Sequence, residues 1–198
     1  MFVDDSSSSF LTCLTIVFKT SFIEVLMKVK VLEEAGHAEA ILGISLSFNS
    51  DIDRMWDRAE RLAPLDMGHN KFLESICVWL DIDAPRYWWS QFDTYRIGVT
   101  KQSESTMHTL TKRELEQRDF ETPINPIVLG VVNGYIRDRN LVEAKAHLPE
   151  AFIQRRIVCT NYKSLRGVVK QRASHKLPEW QVFVQELEKQ LDYPEYFN

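Results

Sequence analysis

Two groups of cations and hydroxyls in this chain have the residue types to hold a small anion. Arg96 begins a run that carries Thr100, Ser103, Ser105, Thr106 and His108. Farther on, Lys163 and Arg166 stand near the start of a helical pattern, and Arg172 and His175 close it. A guanidinium presents a planar fork of donors that matches a phosphate or carboxylate, and Ser or Thr hydroxyls can complete the shell. The same residues also fit a solvated, charged surface, and composition does not separate the two readings. His69 follows Gly68 just before a predicted strand, where a histidine serves either as a hydrogen-bonded structural residue or as a catalytic one. Cys13, Cys77 and Cys159 are far apart and form no C-x-x-C pair, so neither a zinc site nor a redox pair is expected, and no metal is assigned. Cys77 and Cys159 fall inside predicted strands and read as buried small hydrophobes. Trp79, Trp88 and Trp89 read as core or interface residues. No phosphate-binding loop, dinucleotide fingerprint, zinc-protease helix or nucleophile elbow occurs.

The elements that must position these groups are readable from periodicity. Lys28–Leu32 alternates as a strand does, and 38–47 reads as a helix. Ser50 to Asp53 offers caps for a helix through Met55, Trp56, Ala59 and Leu62, which Pro64 ends. Residues 74–83 alternate Ile76, Val78, Leu80 and Ile82, the clearest strand of the chain. Pro85 can open a helix through Trp88, Trp89 and Phe92 toward Arg96. The polar 98–111 stretch reads as a loop and 110–117 as a short helix. After the break at Pro123 to Pro126, 127–138 fits strand or helix equally. A short helix is expected over 141–146 and a strand over 155–160. Asn161 can cap a helix from Tyr162 to about Ala173 with Leu165, Val168 and Val169 inward. Pro178 suits the start of a last helix whose Trp180, Val184, Leu187 and Leu191 recur at helical spacing. Strands and helices mixed without regular alternation indicate an α+β class.

Bulk composition sets the outer bounds. The chain has 198 residues, and 44% hydrophobic with 26% charged residues supports a globular core rather than disorder. The net charge of -4 gives no global drive toward DNA, RNA or an anionic membrane. Residues 1–26 differ in character from the rest of the chain. Their apolar run from Phe10 to Phe18 is too short to span a bilayer, and Asp4 and Asp5 stand where an export signal would be basic. Met27 then opens MKVKVLEEAG like an ordinary cytosolic start. The expected organisation is a non-essential extension over 1–26 and one cytoplasmic domain over 27–198.

Several blocks recur together in an order that carries a resemblance. MKVKVLEEAG is followed by Ser45-Leu46-Ser47-Phe48, then Gly68-His69 with Glu74, a strand, and Ala84-Pro85. Gln91 and Arg96 follow without a gap. Toward the C-terminus, Leu148-Pro149 precedes Asn161, Ser164-Leu165, Arg172, His175 and Trp180. Over 27–198 this order and spacing resembles the flavin-dependent thymidylate synthases. The resemblance implies a mainly antiparallel sheet flanked by helices, the thymidylate-synthase-complementing-protein-like fold, assembled as a homotetramer whose sites draw on several subunits.

What the resemblance implies for chemistry is methylation of dUMP to dTMP. Methylene tetrahydrofolate supplies the carbon and NADPH reduces FAD, with no cysteine nucleophile. By the same likeness Arg172 is the catalytic cation, favouring an ionised pyrimidine ring, with Gln91, Ser103, Ser105 and Lys145 on dUMP. His69, Arg96, Asn161 and Lys163 fall on the flavin side. Some positions depart from the family's pattern. Its arginine-histidine-arginine signature reads Thr94-Tyr95-Arg96, Glu104 stands at a serine position between Ser103 and Ser105, Lys145 replaces an arginine, and Gly167 replaces an asparagine. The losses lie mostly on the flavin side. Other readings are a pyrimidine-deoxynucleotide-binding relative without flavin chemistry, a related one-carbon modification of a deoxyuridine nucleotide, and an interaction protein on the same scaffold.

Overall fold

The structure is a computed structural model that describes residues 26–197. Almost all of the expected extension therefore lies outside the described residues. In chain order the elements are β1 (Lys28–Ala35), α1 (His37–Phe48), α2 (Met55–Leu62), β2 (Cys77–Pro85), α3 (Arg86–Phe92), β3 (Thr100–Ser103), α4 (Thr106–Thr109), α5 (Pro126–Arg137), α6 (Leu141–Ala146), β4 (Ile153–Asn161), α7 (Tyr162–Arg172) and α8 (Pro178–Gln190). The four strands form one antiparallel sheet in the order β1-β2-β4-β3.

Strand alternation decides which face the helices cover. Val78, Leu80, Ile82 and Ala84 of β2 are fully buried, as is Val158 opposite Leu80. α8 packs on β1, and α7 contacts both α8 and β4. Trp88, Phe92, Trp180 and Phe183 interlock between α3 and α8 as a cluster of aromatic rings with centroids 4.6 to 6.3 Å apart. Each such side chain removes a large apolar area from water. β1 carries an irregularity between Val31 and Glu33. Past it, the Glu34 carboxylate turns toward the core, where it accepts from the Tyr162 hydroxyl and from the Asp192 amide. A second, smaller core holds Leu110, Leu115, Phe120, Val132, Ile136, Ala144 and Leu148 beneath α5 and α6.

Several sequence expectations need correction. The 98–111 stretch contains an edge strand, β3, and the short α4, because Thr100 to Ser103 find free partners on β4. The helix from Pro85 stops at Phe92 and never reaches Arg96, since Thr94 and Tyr95 turn back onto the carbonyls of Gln91 and Phe92. No helix runs over 110–117. Leu110–Lys112 is a single 3-10 turn, Arg113 is extended, and the side chain of Asn133 claims both backbone groups of Leu115. The ambiguous 127–138 stretch is helix α5, started by an Asn125 cap and Pro126. Cys77 is exposed and Cys159 half-buried, because Val78 and Val158 take the inner face and their neighbours must face outward. Trp79 shares that outer face, whereas Trp88 and Trp89 are core.

Candidate active site

The start of α7 is built as a docking point for a loop. Asn161 has extended backbone and accepts the Ser164 amide at 2.9 Å, so it caps the helix as its residue type predicts. The Ser164 hydroxyl in turn donates to the Ile97 carbonyl at 3.1 Å. Gly98 has φ +67, and a Cβ there would stand 2.7 Å from Ser164 Oγ and 2.9 Å from Asn161 Nδ2. Only glycine lets the 94–99 turn lie this close to the helix start. Between turn and helix is a cleft of about 780 Å³ whose lining includes Glu74, Tyr95, Arg96, Asn161, Lys163 and Gln171. The half-buried first turn of α7 lines this cleft with Asn161, Lys163 and Ser164 and adds the positive end of a helix to these cations.

Arg172 closes the same helix and is half-buried rather than turned to bulk water. Its guanidinium lies 4.7 Å from the Trp180 ring centre and 5.6 Å from that of Tyr95. Nε donates to the Tyr95 hydroxyl at 2.8 Å, and that hydroxyl donates to Gln171 Oε1 at 2.9 Å. Trp180 Nε1 donates to Gln91 Oε1 at 2.9 Å, which fixes the amide beside the cradle. One edge of the guanidinium is thus spent on orientation, and its terminal nitrogens have no hydrogen-bond acceptor among the described residues. Held between ring faces, a cation is partly desolvated and strengthened for an incoming planar partner.

The structure therefore brings the expected residues together in two adjoining sets. Arg96, Asn161 and Lys163 line the cleft, and Gln91 and Arg172 share the aromatic cradle, with Tyr95 belonging to both. The remaining candidates stand elsewhere on the single chain. His69 lines a separate cavity of about 400 Å³ with Glu39, Ile44, Phe48, Lys71 and Phe72. Ser103 ends the edge strand opposite Arg156, Ser105 precedes α4, and Lys145 is exposed on α6. Arg166 is not part of the anion set. It is 5% exposed and donates to the Pro64 carbonyl at 2.6 Å and to Asp66 at 3.2 Å, so it clamps the loop after α2. His175 Nδ1 accepts the Leu177 amide at 3.1 Å.

Sequence reasoning missed Tyr95 and Gln171 as orienting groups. In the sequence Tyr95 stands only as a departure from a signature, and the visible signal is an aromatic hydroxyl next to Arg96. Lys163 also needs a companion that charge counting overlooks, for its Nζ pairs with Glu74 at 2.7 Å inside the cleft. Neither Cys77 nor Cys159 lines the cleft, and burial pushes the Cys159 thiol up, away from the reactive thiolate form.

No protein-family model matches the sequence, and no curated protein sequence matches it. Solved structures do match the fold. One is a crystal structure of flavin-dependent thymidylate synthase ThyX from Helicobacter pylori complexed with FAD and dUMP. It superposes with a TM-score of 0.75 at 18% identity, covering 86% of this chain and 98% of that one. A second structure of ThyX from Helicobacter pylori with FAD and dUMP gives a TM-score of 0.73 at 18% identity, over 87% and 97% of the two chains. This likeness shows a common α+β fold. Among the described residues no helix is long and apolar enough to cross a membrane.

Proposed function

We propose that this chain binds a pyrimidine deoxynucleotide together with FAD and methylates dUMP to dTMP, taking the carbon from methylene tetrahydrofolate and reducing equivalents from NADPH. The observation that carries the reading is the Arg172 guanidinium, held half-buried between Trp180 and Tyr95 at the edge of a cleft that presents Arg96, Asn161 and Lys163. A fixed cation beside a uracil ring lowers the cost of negative charge on its N3 and carbonyl oxygens, so Arg172 would bind the pyrimidine and favour its ionised form. Gln91, immobilised by Trp180, would read the ring's polar edge.

The donor set of the cleft suits an elongated anionic cofactor. Arg96 and Lys163 supply charge, Asn161 keeps its amide NH₂ for a ligand while its oxygen caps α7, and nothing fills the space beside Gly167. FAD in this place would supply the hydride-carrying redox chemistry. Arg96, Asn161 and Lys163 would hold and orient it. His69, Ser103, Ser105 and Lys145 are separated from the cradle within one chain. We therefore propose a homotetramer in which neighbouring subunits complete each site, with His69 toward the flavin and the two serines and Lys145 toward dUMP.

A second reading is a nucleotide-binding relative without flavin chemistry. The Glu74 carboxylate, which offsets Lys163 inside the cleft, and the absence of a side chain at Gly167 favour it. Titration of the purified protein with FAD, with and without dUMP, followed by flavin absorbance and calorimetry, separates the readings. The enzyme reading expects a perturbed flavin spectrum and dUMP binding that weakens about 10- to 100-fold in Arg172→Ala, the value of a charge-assisted hydrogen bond. Nucleotide binding without any flavin binding would leave the second reading. Unchanged dUMP affinity in Arg172→Ala would remove both.

A further inference from the structure

Three separate elements converge at the start of β1. Glu121 follows Phe120, which bridges to Phe152, and the Glu121 amide donates to the Ala151 carbonyl at 2.9 Å. Glu179 is the second residue of α8, and Tyr87, at the start of α3, donates its hydroxyl to the Glu179 carboxylate. Glu121 and Glu179 are each 3% exposed, and Met27 beside them is 4% exposed. The Oε2 atom of each glutamate is buried and has no hydrogen-bond partner among the described residues.

Two carboxylates out of water in mutual range need a positive group or a proton. Burial pushes the Glu121 carboxyl above the ordinary range, and the Glu179 charge adds to it. What does reach Glu121 is the backbone of this same chain. The Leu26 amide donates to Oε1 at 2.8 Å, and the Met27 amide also faces the carboxylate. Those donors are neutral and bring no charge to the pair. Met27 is one of the two residues whose amides face Glu121, it directly precedes a regular strand, and the segment before it differs in composition from the domain.

We propose that Glu121 and Glu179 form a receptor for a free α-ammonium group at Met27, so that the working form of the protein begins there. The ammonium would carry one positive charge and three donors into a place where an amide brings one donor and none of the charge. Two routes give this end. Synthesis can start at Met27, or water can add across the Leu26–Met27 peptide bond under a protease, leaving a carboxylate on Leu26 and a protonated amine on Met27. The proposal is independent of the flavin reading.

The test uses the complete gene with its natural upstream region and a C-terminal tag, with the purified protein read by intact mass and α-amine labelling. The expected main species begins at Met27. Met1→Leu separates the routes, since the short species persists if synthesis starts at Met27 and disappears if it arises by cleavage. Folded protein that begins only upstream of Met27 would overturn the proposal. A second measurement reads the receptor itself. In the species beginning at Met27, Glu121→Gln with Glu179→Gln should lower Tm by on the order of 5 °C. In Met27→Leu chains that intact mass shows to be full length, the same pair should leave Tm unchanged or raise it, and an equal drop in both would overturn the proposal. Should the double variant fail to fold, acetylation of the native protein replaces it. A Met27 amine that reacts with acetic anhydride as fast as in urea would sink the receptor.

Discussion

The aromatic cradle around Arg172 and the satellite around α5 and α6 are held together by different physics. In the cradle, large rings from α3 and α8 fill the core and leave polar atoms only where they aim another side chain, as Trp180 does for Gln91. In the satellite, a thin apolar cluster is organised by polar side chains standing in for backbone partners. Asn133 bonds the Leu115 amide at 2.8 Å and its carbonyl at 2.9 Å, and Gln117 does the same for Ile124 at 2.9 and 2.8 Å. The first arrangement places a cation with little freedom. The second holds a surface, where Lys145 is exposed and Ile127 and Val142 are 76% and 74% exposed. Precision in this molecule follows buried ring area, and the satellite leaves Lys145 exposed on α6.

The sharpest way to break that contrast is Trp180→Ala. Trp180 is fully buried and contacts Trp88, Phe92, Tyr95 and Phe183 while carrying Gln91 and underlying Arg172. Truncation of a buried tryptophan costs about 3–5 kcal/mol. Chemical denaturation should show that loss, and nucleotide affinity should fall with it because two orienting contacts go at once. A variant that keeps full stability would show that the rings do not form the core that positions Arg172.

Asn133→Leu tests the other half and should cost less, about 1–3 kcal/mol, the penalty for leaving the buried amide and carbonyl of Leu115 unpaired. The side chain is similar in size, so a cavity cannot account for the loss. Hydrogen exchange should place the damage in 110–120 and α5, with the Arg172 cradle unaffected. Protection lost evenly over the whole chain would mean that the two cores are one cooperative unit.

The same contrast explains what the sequence could reveal. β2, α7 and α8 were legible because Val78, Leu80 and Ile82, or Leu165, Val168 and Val169, repeat with the period of their element and end in recognisable caps. The place of Arg172 was legible because it closes such a helix. The satellite was not, since residues 110–117 carry helix-compatible residues whose fate is decided by Asn133, a residue distant in sequence. β3 was missed for a related reason, because an edge strand has one covered side and needs no apolar alternation. Arg166 looked like a free cation, and only the approach of Pro64 and Asp66 turns it into a clamp. The partners of Tyr95 lie on α7, and no local pattern announces them.

Lys145→Ala carries the smallest expected effect and the finest distinction. Lys145 is exposed on α6 and has neither a salt bridge nor a side-chain hydrogen bond among the described residues, so its removal should change stability by less than about 0.5 kcal/mol. If neighbouring subunits complete the nucleotide site, the assembled protein should lose roughly 10-fold in dUMP affinity, about 1.4 kcal/mol, at unchanged Tm. Lys145→Arg should then restore or improve binding, because the guanidinium adds a fork to the same charge. Affinity untouched by either substitution would confine recognition to the Arg172 cradle and leave the satellite a purely structural face.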